Sequence, residues 1–156
     1  MCILLISIKP NSALPIIIAS NRDEFHTRPT ETLSIWKDNP NILGGRDMEA
    51  NGTWLAINKG GHFAAITNLP TNITACNLKS RGNIVTEALT SKLQISSFIK
   101  NLAEKKKSYK GFNFVYHDRK NLYLSSSESK RSKQYKQGIH VISNNEIESD
   151  LPKSKK

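Results

Sequence analysis

Cys2 directly follows the initiator methionine. Removing that methionine would leave a cysteine whose amine and thiol sit on one residue. A terminal α-amine has a reference pKa of about 7.7–8.0, so near neutral pH part of it is free to act as a base. A thiol has a reference pKa of about 8.5 and becomes a strong nucleophile once deprotonated. One residue can therefore supply both halves of a nucleophile–base pair, as in the N-terminal threonine variants of the triad. The plainer reading of Cys2 is a small buried apolar residue that begins a strand. Arg22 and Asp23 bear on that choice. A carboxylate can orient a terminal amine, and a guanidinium can orient the carboxylate or hold an anionic substrate. Their plainer reading is an exposed ion pair on a surface turn. Asn68 and Asn144 each close an apolar run. A side-chain amide can donate to a developing oxyanion, although in an asparagine-rich chain both are equally read as turn residues.

The elements that must position these residues follow from the apolar pattern. Residues 2–8 read Cys-Ile-Leu-Leu-Ile-Ser-Ile, which predicts a buried strand. Lys9 to Ala13 predict a turn, and residues 15–20 a second strand with Pro15 at its first position, where no ladder donor is lost. Paired as an antiparallel hairpin, the two strands bring Cys2 beside Asn21-Arg22-Asp23-Glu24.

Residues 25–41 read as a long polar loop, and a short element begins at Ile42. Strands are predicted over 53–58 and 62–68, joined by Lys59-Gly60-Gly61, with Asn51-Gly52 as the turn before them. Leu69 to Ser80 read as loop. Helices are predicted over 82–90 and 95–106, the second with Ile95, Phe98, Ile99 and Leu102 at helical spacing and Ser96 as its N-cap. Strands over 112–116 and 122–124 flank a turn at 118–121. A polar loop spans 125–137, and a last strand covers 138–144. Strands, two helices and strands again predict an α+β domain with helices on antiparallel sheet.

The remaining signals are weaker. His26, His62, His117 and His140 lack metal-ligand spacing and read as ordinary histidines rather than metal or haem ligands. Gly44-Gly45 and Gly60-Gly61 lack the flanks of a phosphate loop. Two cysteines, Cys2 and Cys76, make no disulfide framework, which fits a reducing, cytoplasmic setting. The apolar start is too short for a signal core or a membrane span. The net charge of +10 lies mostly in residues 92–156, which hold 15 Lys/Arg against 6 Asp/Glu. Without interleaved aromatics this reads as a solvated lysine surface and not as a specific nucleic-acid site.

Seven short motifs run in order along the chain: Met1-Cys2, Asn21-Arg22-Asp23-Glu24-Phe25, Gly44-Gly45-Arg46-Asp47, Asn51-Gly52-Thr53-Trp54, Thr67-Asn68, Ser80-Arg81-Gly82 and Ser143-Asn144. Together they resemble the transport-and-Golgi-organisation-2 family, also named for its Asn-Arg-Asp-Glu tetrapeptide. The resemblance implies an N-terminal-nucleophile-hydrolase-like sandwich of two antiparallel sheets between helical layers, similar at a distance to penicillin V acylase and bile salt hydrolase. By that likeness Cys2 is the nucleophile, Arg22 and Asp23 support it, and Asn68 and Asn144 are polar groups around the oxyanion. The implied partner is a small-molecule amide or an amphiphile. No cofactor is implied, although haem is a candidate ligand through the family's link to haem mobilisation. The family's chains run longer, so residues 1–144 are expected to form one incomplete domain, truncated at its carboxyl end, with 145–156 a frayed basic segment.

Overall fold

The computed structural model describes residues 2–71, 77–129 and 132–145. Two antiparallel sheets and two helices make an α+β architecture. Strand β1 (Ile3–Ile8) is central in a three-stranded sheet, between β2 (Ile16–Asn21) and β10 (Gly138–Ile142). The seven-stranded sheet runs in sequence order through β3 (Thr30–Ile35), β4 (Ile42–Asp47), β5 (Leu55–Asn58), β6 (Phe63–Asn68), β7 (Phe112–His117), β8 (Leu122–Ser126) and β9 (Lys133–Tyr135). Helices α1 (Gly82–Thr90) and α2 (Ile95–Glu104) lie between β6 and β7 in the chain.

Side-chain alternation distributes each strand between two cores. Ala64 and Ile66 of β6, with Phe112, Phe114 and Tyr116 of β7, face the helices and meet Ile84, Val85, Phe98 and Ile99. Phe63, Ala65 and Val115 point the other way. They pack with Leu122 and Leu124 against Leu4, Ile6, Ile8 and Ile142 of the small sheet. The layers are therefore helices, large sheet and small sheet, so among the described residues helices cover only the large sheet and the second helical layer implied by the resemblance is not present. The outer face of the small sheet leaves Ile3, Leu5, Ile17, Ile139 and Val141 exposed.

The predicted hairpin forms, with Ile3 opposite Asn21 and Ile8 opposite Ile16, and β2 lies one residue later than predicted, so that Pro15 precedes it. Helix α1 has the predicted bounds. Several boundaries differ. Within the predicted loop 25–41, β3 pairs with β4 through a bulge although all six of its residues are exposed. Within the predicted loop 125–137, β9 pairs with β8 over only three residues. Both are edge strands; β3 has no apolar face and β9 offers only Tyr135 to the core between the sheets, so neither leaves a hydrophobic alternation to read.

Helix α2 is capped by Gln94, not Ser96, and without a side-chain cap bond. Ile95 packs on the helical core as the first helical residue, two positions before a Ser96 cap would allow, so Ser96 falls inside the first turn. At its other end Lys105 leaves helical geometry, and Lys106–Ser108 form a 3-10 turn in place of a continued helix. Strands β5 and β10 are shorter than predicted, covering 55–58 and 138–142. Residues 72–76, with Cys76 and the Asn72-Ile73-Thr74 triplet, and residues 146–156 of the predicted frayed segment lie outside the described residues. Among the described residues no helix is long and apolar enough to cross a membrane.

Candidate functional site

Cys2 stands just before β1, and the sheet register determines its neighbours. Continuing the β1–β2 pairing by one residue puts Arg22 opposite Cys2. Continuing the β1–β10 pairing, in which Leu4 faces Ile142, puts Asn144 on the other side. The sulfur meets the Asp23 backbone: the N–H donates to Sγ at 3.4 Å, and Sγ lies 3.8 Å from the carbonyl oxygen. Burial pushes the thiol pKa up, and Arg22 and Arg81 offset this only in part. Cys2 is thus a protonated, half-buried thiol at neutral pH, which needs a base before it can attack.

Arg22 is held from three directions. Its guanidinium donates to Thr30 Oγ1 at 2.8 Å and to Asp47 Oδ2 at 3.0 Å, and it lies 4.3 Å above the centre of the Trp54 ring. Trp54 can lie there because Gly45 has no side chain; a Cβ on Gly45 would come within 2.6 Å of the indole. Asp47 Oδ2 also accepts from Arg28 Nε at 2.7 Å, and Oδ1 accepts from the backbone N–H groups of Glu49 and Ala50. Arg28 reaches Glu49 in turn at 2.9 Å. The Arg22 and Asp47 side chains keep only 17% and 13% of their exposure. Their pairing should therefore exceed the value below about 1 kcal/mol typical of open surface pairs.

This network carries a pH signature. Burial raises the Asp47 carboxyl pKa, but Arg28 and the two backbone donors outweigh it and hold the group below the ordinary aspartate range. A depressed folded-state pKa adds stability above the unfolded value of about 3.9, and this is lost as pH falls through the lower folded value. Denaturant midpoints should therefore fall on acidification from about pH 6 to about pH 3, and the fall should be smaller in Asp47→Asn. Equal slopes in the two proteins would show that Asp47 does not carry the effect.

A cavity of about 300 Å³ opens beside the sulfur. Cys2, Arg22, Asp23, Glu24 and Asn68 line it, as do Asp47 and Trp54 from the large sheet and Lys79, Ser80, Arg81 and Lys110 from the segments around α1 and before β7. Arg81 reaches the cavity because the β4–β5 connection packs backbone to backbone on the start of α1. A Cβ on Gly52 would lie 2.7 Å from the Gly82 carbonyl carbon.

Four of the five predicted site residues, Cys2, Arg22, Asp23 and Asn68, line this cavity together. Asn144 is not among the lining residues, although its register position is beside Cys2. Its Oδ1 is buried without a partner among the described residues. The loop bearing Asn144 is tied down by Asn113, whose amide donates to the carbonyls of Ser143 at 3.1 Å and Asn145 at 2.8 Å. Thr67 Oγ1 donates to the same Ser143 carbonyl at 2.9 Å.

Asp47, Arg28, Trp54, Arg81 and Asn113 were not predicted as site residues. The first four sit in or near the seven motifs, but nothing in a linear sequence shows which charges share a partner. Among the described residues no histidine lines the cavity: His62 meets the Tyr116 hydroxyl at 2.8 Å, His117 stacks on Phe63, His140 lies against Tyr135 and His26 is exposed. No group of three metal-ligating side chains occurs among the described residues.

A family model described as Transport and Golgi organisation 2 matches residues 1–156. The Transport and Golgi organization protein 2 homolog of Homo sapiens is 36% identical over 125 residues, covering 76% of this chain and 45% of that protein. The Transport and Golgi organization protein 2 of Drosophila melanogaster is 34% identical over 109 residues, covering 64% of this chain and 38% of that protein. The chain thus spans less than half the length of these relatives.

Proposed function

The chain belongs to the Transport and Golgi organisation 2 family, and on that footing we propose that it is an N-terminal cysteine hydrolase of the N-terminal-nucleophile kind, cleaving a small non-peptide amide or related acyl bond. The observation that carries this reading is the position of the Cys2 sulfur. It lines a polar cavity, against the Asp23 backbone, with Arg22 opposite in register and Asn68 lining the same cavity from the large sheet.

Loss of Met1 frees the Cys2 amine. That amine takes the thiol proton, which supplies the base that a buried thiol needs. The thiolate attacks the substrate carbonyl carbon, and the carbonyl oxygen becomes an oxyanion. The side-chain amide of Asn68, which lines the cavity, donates to it. As the tetrahedral adduct collapses, the C–N bond breaks and the leaving amine takes the proton from the Cys2 ammonium. A thioester remains. Water then attacks it, giving its proton to the Cys2 amine, and the C–S bond breaks to release a carboxylic acid and restore the thiol. Arg22, fixed by Asp47, Thr30 and Trp54, keeps positive charge beside the sulfur throughout.

Intact-protein and peptide mass spectrometry after treatment with an activated acyl ester tests this. The expected product lacks Met1 and carries one acyl group on Cys2. Retained Met1, or an acyl group on Cys76 with none on Cys2, overturns the reading. A Soret shift on haem titration without any acyl-Cys2 would instead mark a binding protein that uses the same cavity without turnover.

A further inference from the structure

The cavity holds one guanidinium that makes no ion pair among the described residues. Arg22 and Arg28 share Asp47, and both lie within 4.0 Å of Glu24. Arg81 is different. Its one hydrogen bond among the described residues is from Nη1 to the Gly111 carbonyl oxygen at 3.1 Å, and no carboxylate there comes within ion-pair distance. A guanidinium offers five N–H donors in a planar fork, so most of this fork remains available. Burial lowers the Arg81 pKa, and the charge of Glu24, which makes no ion pair with it, offsets this only in part.

Two more cations share its wall. Lys79 and Tyr109 form a parallel bridge, and the Lys79 N–H donates to the Ser108 carbonyl at 2.9 Å. This holds segments 79–81 and 109–111 side by side, so Lys79, Arg81 and Lys110 all line the cavity that contains Cys2.

We propose that Arg81, flanked by Lys79 and Lys110, is the seat for a carboxylate carried by the substrate, which makes the substrate class an acyl amide bearing a single negative charge. This rests on the reading of Cys2 as nucleophile and adds the group that selects what reaches it. A planar carboxylate matches the open fork of Arg81 and replaces the water that the side chain has lost. Asp23 and Glu24 on the same cavity disfavour a doubly charged phosphate group. The seat orients the substrate so that its amide carbonyl lies on the sulfur, while the Arg22 side already has its counter-ion in Asp47.

The test is isothermal titration of the full chain with three p-nitroanilides, glutaryl, its methyl ester and valeryl, together with 4-(valerylamino)benzoate, which places the carboxylate on the amine side. Binding is measured in a Cys2→Ala background, where nothing turns over, and is repeated in Arg81→Gln and Arg81→Lys. One of the two acids should bind about tenfold to a hundredfold more tightly than its neutral counterpart. Arg81→Gln should erase that preference and Arg81→Lys should keep part of it. Glutamine retains a donor for Gly111, and thermal melts confirm the fold. Equal affinity for acids and neutral compounds before any change at Arg81 overturns the proposal, as does a preference that survives Arg81→Gln. The titration needs no chemistry at Cys2, so it distinguishes the two ideas: a preference for acids stands even where Cys2 is never acylated, and an acylated Cys2 with no preference for acids refutes the seat alone.

Discussion

Cys2→Ala is expected to bring hydrolysis of an amide or activated ester down to the uncatalysed rate, a loss of about four orders of magnitude or more. On the proposed mechanism the loss is large because the residue contributes the attacking atom and, through its own amine, the base that activates it. The alanine keeps the amine but gives it nothing to deprotonate. The fold should be untouched: Cys2 precedes β1, is only half-buried, and its sulfur touches only the Asp23 backbone in the described contacts. Thermal melts should therefore overlay while progress curves separate. Cys2→Ser divides the two contributions further, since its hydroxyl is a poorer nucleophile beside an unchanged amine. Undiminished turnover in Cys2→Ala would place the chemistry elsewhere.

The second large effect is on stability. Asn113 is fully buried in β7, and its amide holds the loop after β10 through Ser143 and Asn145. Asn113→Ala is expected to cost about 1–3 kcal/mol, from two lost hydrogen bonds to half-buried or exposed carbonyls plus the vacated volume, less the relief of its own unpartnered Oδ1. It joins the two sheets at the end where Cys2 lies, so the loss should also appear as reduced kcat in protein that is still folded. Urea unfolding gives the first quantity, and turnover well below the melting transition gives the second. Destabilisation with unchanged kcat would make Asn113 a structural tie without influence on Asn144.

The hairpin that starts the chain was legible because two apolar runs flank a turn, whereas the burial of only one face of its first strand was not. Leu4, Ile6 and Ile8 are buried, whereas Leu5 is exposed. From that pairing alone Cys2 had to lie beside Arg22. Helix α1 was legible because Ile84, Val85, Ala88 and Leu89 form one buried stripe. The edge strands β3 and β9 were not, since their reason for being extended is the neighbouring backbone. The wiring of the charges was hidden too. Asp47 looked like part of a glycine-rich motif, and only the folded chain shows it gripping two arginines 25 and 19 residues away. Asn113 sat inside an aromatic strand with no sign that its amide would reach across to the small sheet's end.

Cys2 rides on the small sheet, whereas Asp47, Trp54 and Asn68 ride on the large one. The gap between those jaws is gauged by greasy residues that do not line the cavity beside the sulfur, with Ile6 and Ile8 on one side and Phe63 and Val115 on the other. A close-packed interior cannot absorb an added methyl group without shifting its walls. The width of the slot is therefore inherited from hydrocarbon that never meets a ligand, and what fits could be retuned over generations without exchanging a single polar side chain.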